Sequence, residues 1–250
     1  MRKSMHRIRV LMGRNLKEIV RDPISLIFML AMPLVMEILF YFTFHNQTMQ
    51  FEMCYLAPGI VVFSQAFLSL FSGILISQDR NTAFLTRLYV SRARSYEFIF
   101  GYALSLVPIV FVQSLLFFLV GGAISPSLFS LPMLYGIFLS LLTAAFFIGM
   151  GIMIGAVCND KAIGGVASIL ITGQSMLSGM WFPPDALSKG MKITMKCLPF
   201  KNATDLLRYG FAPSDGLFMG FVLPLLITLA YVVLAFVVAI LLFRRKMKAN

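Results

Sequence analysis

The sequence predicts an all-α integral membrane protein, and three observations carry that prediction. Apolar residues fill 59% of the 250 positions and charged ones only 12%, against roughly 45–50% and 25% in soluble domains. The apolar residues gather into six long runs, 24–44, 55–77, 102–124, 134–158, 162–182 and 217–243. Five of the six contain no Asp, Glu, Lys or Arg. Runs of that length match a hydrocarbon layer about 30 Å thick. A backbone without water must close its own hydrogen bonds, which dictates helices. A barrel would instead need segments of about ten residues with alternating polarity, and these runs do not alternate.

Ahead of the first run, Ile8, Leu11, Met12, Leu16, Ile19 and Val20 recur at helical spacing, with Arg7, Arg14, Lys17, Glu18 and Arg21 on the other faces. That pattern predicts an amphipathic helix lying along the membrane interface. Asp22 and Pro23 break it before the chain turns into the bilayer. The first run is too long for a signal peptide and no small-residue cleavage pattern follows it, so it should remain as an uncleaved anchor. Glu37, placed after Pro33, is the one ionisable residue inside a run. A charge at that depth costs about 3 kcal/mol on insertion scales, so Glu37 is a candidate for the translocation path or its gate.

Between the second and third runs, 78–98 is polar and cationic, with helix-compatible residues near its middle. It is too long for a minimal turn and too short for a domain. Arg80, Arg87, Arg92 and Arg94 offer guanidinium groups to acidic residues of a partner. The fourth run carries Gly149, Gly151 and Gly155, a small-residue spacing that lets helices approach closely, expected within one chain in preference to a dimer seam. After the fifth run, Pro183, Pro184 and Pro199 divide a stretch in which Leu187, Met191, Thr194 and Leu198 share a side and Lys189, Lys192 and Lys196 lie elsewhere. Short amphipathic pieces of that kind are expected to dip into the outer leaflet and return. Gln65, Gln113 and Gln174 are candidate polar contacts for a substrate, on an otherwise apolar path suited to amphiphilic drugs, peptides or lipids.

Orientation follows from Lys and Arg. One face collects sixteen of them, from residues 1–23, 79–97, 159–161 and the tail after Phe243. The other face has five, all after Phe182. Both termini are therefore expected in the cytoplasm. A net charge of +11 does not imply nucleic acid, because the basic residues sit at the ends of apolar runs and form no continuous face. Cys54, Cys158 and Cys197 share no metal-ligand spacing. A membrane enzyme is disfavoured, since only His6 and His45 exist and the expected topology separates them. An ion-coupled secondary transporter or channel subunit is the alternative, but it should show paired intramembrane charges, and Glu37 stands alone.

The order of these pieces resembles the permease subunits of ABC transporters of the type-2 exporter class, which includes multidrug and antibiotic exporters. The carriers are Arg21-Asp22-Pro23 at the end of the pre-membrane helix, Tyr55-Leu56-Ala57-Pro58-Gly59 opening the second run, and the loop DRNTAFLTRLYVSR. The most specific carrier is 179–208, with Phe182-Pro183, Leu198-Pro199 and Asp205-Leu206-Leu207-Arg208. The resemblance implies one transmembrane domain over 1–250. An elbow helix would occupy 1–23, using Arg14, Lys17, Arg21 and Asp22, and spans one to five would lie within 24–177. An outer re-entrant hairpin would occupy 178–216, marked by Pro183, Pro199 and Arg208, followed by a sixth span at 217–243 and a cytoplasmic tail at 244–250. It also implies that loop 78–98 holds a coupling helix seated in a nucleotide-binding subunit, through Asp79, Arg80, Asn81, Thr82, Leu85, Arg87 and Leu88. Relatives often carry an acidic residue and a glycine before that threonine, where this chain reads Arg80-Asn81-Thr82. A phosphate-cradling loop needs G-x-x-x-x-G-K-[ST], and no Gly-Lys dipeptide occurs. The chain is therefore expected to bind no cofactor, ATP and Mg being used by a separate ATPase subunit. Its further partners would be a second copy or a sister permease, and membrane lipid.

Overall fold

The computed structural model describes residues 2–81, 94–182, 187–212 and 216–249. Among them every regular element is helical. α1 (Arg2–Val20) leads into α2 (Pro23–Phe44), then α3 (Met53–Asn81), α4 (Ser95–Ile124), α5 (Leu131–Val157) and α6 (Asp160–Leu177). Two short helices follow, α7 (Lys189–Cys197) and α8 (Pro199–Arg208), and after a π-helical turn (Phe218–Val222) the chain ends in α9 (Leu223–Ala249).

Among the described residues, five helices are long and apolar enough to cross a membrane: α2, α3, α4, α5 and the π turn continuing into α9. α6 has 18 residues, about 27 Å at the rise of an α-helix, and is not among them. The apolar pattern predicts a fifth span continuing to residue 182. The helix stops instead at Leu177, where Ser178 caps it. Gly179 then takes a φ of 68°, a left-handed conformation that glycine adopts without a Cβ penalty. The connection at 78–98 is also shorter than its polarity predicts: α3 continues to Asn81 and α4 begins at Ser95. Polarity marks where a run leaves an apolar solvent, whereas a helix ends where its backbone bonds end.

α3 is the centre of the bundle and touches α2, α4, α5, α6 and α8. Its most apolar stretch is 83% buried, against 17% for the corresponding stretches of α2 and α9. The glycines of α5 make the tightest seam. A Cβ at Gly155 would lie 2.6 Å from the Gly73 carbonyl and 3.0 Å from Ile76 Cβ, and one at Gly151 would lie 2.7 Å from Ser69 Cα. The small-residue spacing of the fourth run thus serves packing inside one chain. Across the same interface Gln65 donates from Nε2 to the Ser140 carbonyl (3.0 Å) and accepts at Oε1 from Thr143 (2.8 Å).

α1 packs on α4 as well as facing solvent. Its buried stripe is Ile8, Leu11, Asn15 and Ile19, while Val20, expected on the apolar face, is 59% exposed. Leu11 presses on the helix across from it, so that a Cβ at Gly101 would stand 2.8 Å from its own Cβ. The π turn before α9 has a covalent cause, since Pro224 offers no N–H and its ring displaces the carbonyl four residues back. Near the start of α3, Trp181 packs against Phe40 (centroids 4.5 Å apart), Phe63 (6.0 Å) and Phe51 (6.5 Å), and its Nε1 donates to Ser175 Oγ at 3.1 Å.

Candidate functional site

Two polar constellations sit at opposite ends of α3. Tyr55 and Asp79 mark them, 24 positions apart, which is about 36 Å along a helix.

At the α1 end, Asp79 is 1% exposed. Arg14 of α1 grips it with both terminal nitrogens, Nη1 donating to Oδ2 at 2.6 Å and Nη2 to Oδ1. Tyr102 of α4 donates its hydroxyl to the same Oδ2 at 2.5 Å. A planar fork on a carboxylate gives direction as well as energy, so three helices are held in one geometry by one acid. Arg14 also meets Glu18 at 2.9 Å, and burial pushes the Glu18 carboxyl above its ordinary range. A second tie lies one helical stretch away. Arg7 donates to Glu97 Oε2 at 3.0 Å, and the same oxygen accepts the Arg94 backbone N–H at 3.0 Å, capping the first turn of α4. Arg80 turns toward α5 and donates to the carbonyls of Ala156 (3.2 Å) and Cys158 (2.5 Å). A cation there complements the negative end of a helix.

The elements on both sides of residues 82–93 are thus cross-braced to α1 and α5. Of the residues expected to contact a partner there, Asp79 and Arg80 point into the chain, and Asn81 ends α3. Thr82, Leu85, Arg87 and Leu88 lie outside the described residues, as does Pro183. On the elbow helix Arg14 is inward and bonded, while Lys17 and Arg21 are less buried. Asp22 caps α2, accepting from the Ser25 hydroxyl and, at 3.2 Å, from the Ser25 backbone N–H. Those two bonds hold the Asp22 carboxyl below its usual range. Sequence reasoning passes over Tyr102, Glu97 and Arg7. The acid-arginine pair Asp79-Arg80 at the end of an apolar run signals that a buried tie exists, but nothing in the sequence names these three as its neighbours.

The intramembrane candidates are dispersed. Gln65 joins α3 to α5, and Gln113 donates to the Met29 carbonyl of α2 at 3.2 Å. Gln174 is fully buried, with neither side-chain polar atom bonded among the described residues. Glu37 is likewise 0% exposed with both oxygens unbonded, and a Cβ on Gly121 would stand 3.0 Å from its Oε1.

At the other end, Arg208 closes α8 and reaches into the bundle. Nε donates to the Tyr55 carbonyl (2.9 Å), Nη1 to the Gly179 carbonyl (3.0 Å), and the guanidinium lies 5.8 Å from the Tyr55 ring centre. Burial pushes its pKa down to about 10, which leaves it cationic at neutral pH. Asn202 ties the turn between α7 and α8 by donating to the carbonyls of Lys196 (2.8 Å) and Leu198 (2.6 Å), with Pro199 at the first position of α8. Beside Arg208 opens a cavity of about 580 Å³ that Tyr55, Phe182, Lys192 and Lys196 help to line.

No curated protein matches the chain. The family described as "ABC-2 type transporter" matches residues 6–212, a stretch that begins in α1, spans the cross-braced end and closes just beyond Arg208. With five helices among the described residues long and apolar enough to cross a membrane, and most of its length inside that match, the chain belongs to the ABC-2 type transporter family and is an ABC transporter permease.

Proposed function

We propose that this chain is the membrane-spanning subunit of an ATP-driven exporter that moves hydrophobic or amphiphilic compounds out of the cytoplasm, powered by a separate nucleotide-binding subunit. In this reading both termini are cytoplasmic in the plasma membrane, α6 makes a further crossing to give six, and α7 and α8 form the outer re-entrant hairpin. Two copies, or this chain and a sister permease, enclose the path.

The observation that carries the reading is the Arg14–Asp79–Tyr102 tie. Residues 82–93 connect α3 to α4, and the same two helices are bolted to α1 by one buried carboxylate. A push delivered by an ATPase against that segment reaches α1, α3 and α4 as one body, and through Arg80 reaches α5. Such a lever needs stiff joints, and charge-assisted bonds in a low-dielectric setting supply them. ATP hydrolysis belongs to the partner, since this chain has no phosphate-cradling motif. The apolar character of the bundle suits amphiphilic cargo better than sugars.

The test is reconstitution in proteoliposomes with a candidate nucleotide-binding subunit, following efflux of a fluorescent amphiphile on addition of ATP. Transport that requires both subunits, and that falls when 82–88 are replaced by alanines together with loss of ATPase co-purification, supports the proposal. Transport by the purified chain with neither ATPase nor ATP would assign it to the ion-coupled class instead.

A further inference from the structure

The basic residues at the α8 end run against the charge bias of the rest of the chain. Five Lys and Arg follow Phe182 in that region, and four of them, Lys192, Lys196, Lys201 and Arg208, line the cavity beside α8. Among the described residues its only acidic lining group is Asp205, already taken by Lys201 at 2.5 and 2.8 Å. Lys192 and Lys196 have no acidic partner among the described residues. Arg208 is 7% exposed, yet its Nη2 is unbonded among the described residues. Among the described residues, Lys192 and Lys196 therefore stand without an acid partner, beside an Arg208 that shares Asp205 with Lys201, around about 580 Å³ of space, a volume within the roughly 300–1,000 Å³ of ligand sites.

The rest of the lining is mixed: Thr48, Gln50, Tyr55 and Tyr209 are polar, while Met195 of α7 and Met219 of the π turn make an apolar wall with Phe182 and Leu187. Methionine walls accept flexible chains of varied shape. Lys192 and Lys196 stand one turn apart on the cavity side, whereas Lys189, at the start of α7, is absent from the lining.

From this juxtaposition we propose that the cavity binds an anionic phospholipid, its headgroup phosphate held between Lys192, Lys196 and Arg208 and its acyl chain against the methionines. The site would seat a lipid of the surrounding leaflet beside α8. It goes beyond the transport reading and does not depend on it, because the binding is measured on the permease alone.

The experiment titrates the purified full-length chain in neutral detergent with dioctanoyl-phosphatidylglycerol, dioctanoyl-phosphatidylcholine and inorganic phosphate, by calorimetry. The phosphatidylglycerol should bind saturably and at least about tenfold more tightly than either other probe, and weaken as salt is raised. The double variant Lys192→Gln/Lys196→Gln should lose about tenfold in affinity, and the Glu double variant more, while Lys189→Gln, on the same helix, leaves it unchanged. Equal binding of phosphatidylcholine would overturn the charge selection, and phosphate binding as tightly as the lipid would overturn the acyl part. Affinity indifferent to both double variants, or reduced as much by Lys189→Gln, would overturn the site itself. None of these results would bear on whether the chain exports.

Discussion

Replacing Gly155 by alanine should separate the two central helices. The new Cβ would start 2.6 Å from the Gly73 carbonyl oxygen and 3.0 Å from Gly73 Cα, and ordinary carbon–oxygen contact is about 3.4 Å. The difference, roughly 0.8 Å, has to be absorbed by backbone on both sides, since no side-chain tip stands there to swing away. Overpacking of this kind costs about 1–3 kcal/mol, set against about 1 kcal/mol gained from alanine's better helix propensity. The separation also lengthens the bonds from Arg80 to the carbonyls at the end of α5, of which the Gly155 carbonyl is already at 3.4 Å. A net loss of about 2 kcal/mol follows, near the upper end because that cap is lost with the contact. Unfolding in mixed micelles with rising dodecyl sulfate gives the measurement, with Gly13→Ala as control. Nothing lies within 4 Å of the Cβ that change adds to α1, so it should stabilise by about 0.5–1 kcal/mol. Gly155→Ala unfolding at the wild-type midpoint, or Gly13→Ala falling as far, would refute the close-packing argument.

Other outcomes follow from the two ends of α3. Asp79→Ala leaves Arg14 and Tyr102 without their shared acceptor; a fully buried pair would lose about 3–5 kcal/mol, but Arg14's side chain is 33% exposed and can turn to water, so about 2 kcal/mol is expected. A double-mutant cycle with Arg14→Ala should return a coupling of at least about 1 kcal/mol in the same unfolding assay, and strict additivity would contradict the tie. The Asp22 cap has a definite pH sign. A carboxyl whose pKa is depressed in the fold adds stability above its unfolded range and loses it as pH falls through the folded value. Asp22→Ala should therefore cost about 1 kcal/mol at neutral pH and little once the carboxylate is titrated in acid, read as the difference between two unfolding midpoints. Glu37→Gln should leave stability within about 0.5 kcal/mol of wild type, since no bond is lost, yet reduce ATP-dependent efflux if the carboxyl serves the gate; unchanged efflux would make it a packing residue.

The helices were legible because membrane burial writes itself as long apolar runs. Their ends were less so. α3 reaches Asn81 and α4 starts at Ser95 because Asp79, Arg80 and Glu97 are satisfied by partners far off in sequence, and polarity alone cannot distinguish a bonded charge from a solvated one. The same limit hid the Arg14–Asp79–Tyr102 tie, whose members are 65 and 23 positions apart. Gly151 and Gly155 were readable as close-packing sites, and the surroundings of Gln65 show the reverse case: a polar side chain suited to a path uses both its groups to join α3 to α5. The cavity could be read only as an excess of lysine on the wrong side of a charge count. What gathers those lysines is the fold of α7 against α8.

The aromatic stack around Trp181 gives the protein a built-in optical gauge. This is the sole tryptophan in the chain, and it stands where the segment after α6 meets the ends of α2 and α3, its indole N–H bonded to Ser175. Indole emission shifts with local polarity, so any rearrangement that parts these elements and admits water should redden the fluorescence of the unlabelled protein. Conformational cycling can thus be followed in real time at this one spot, provided the companion subunit is made tryptophan-free.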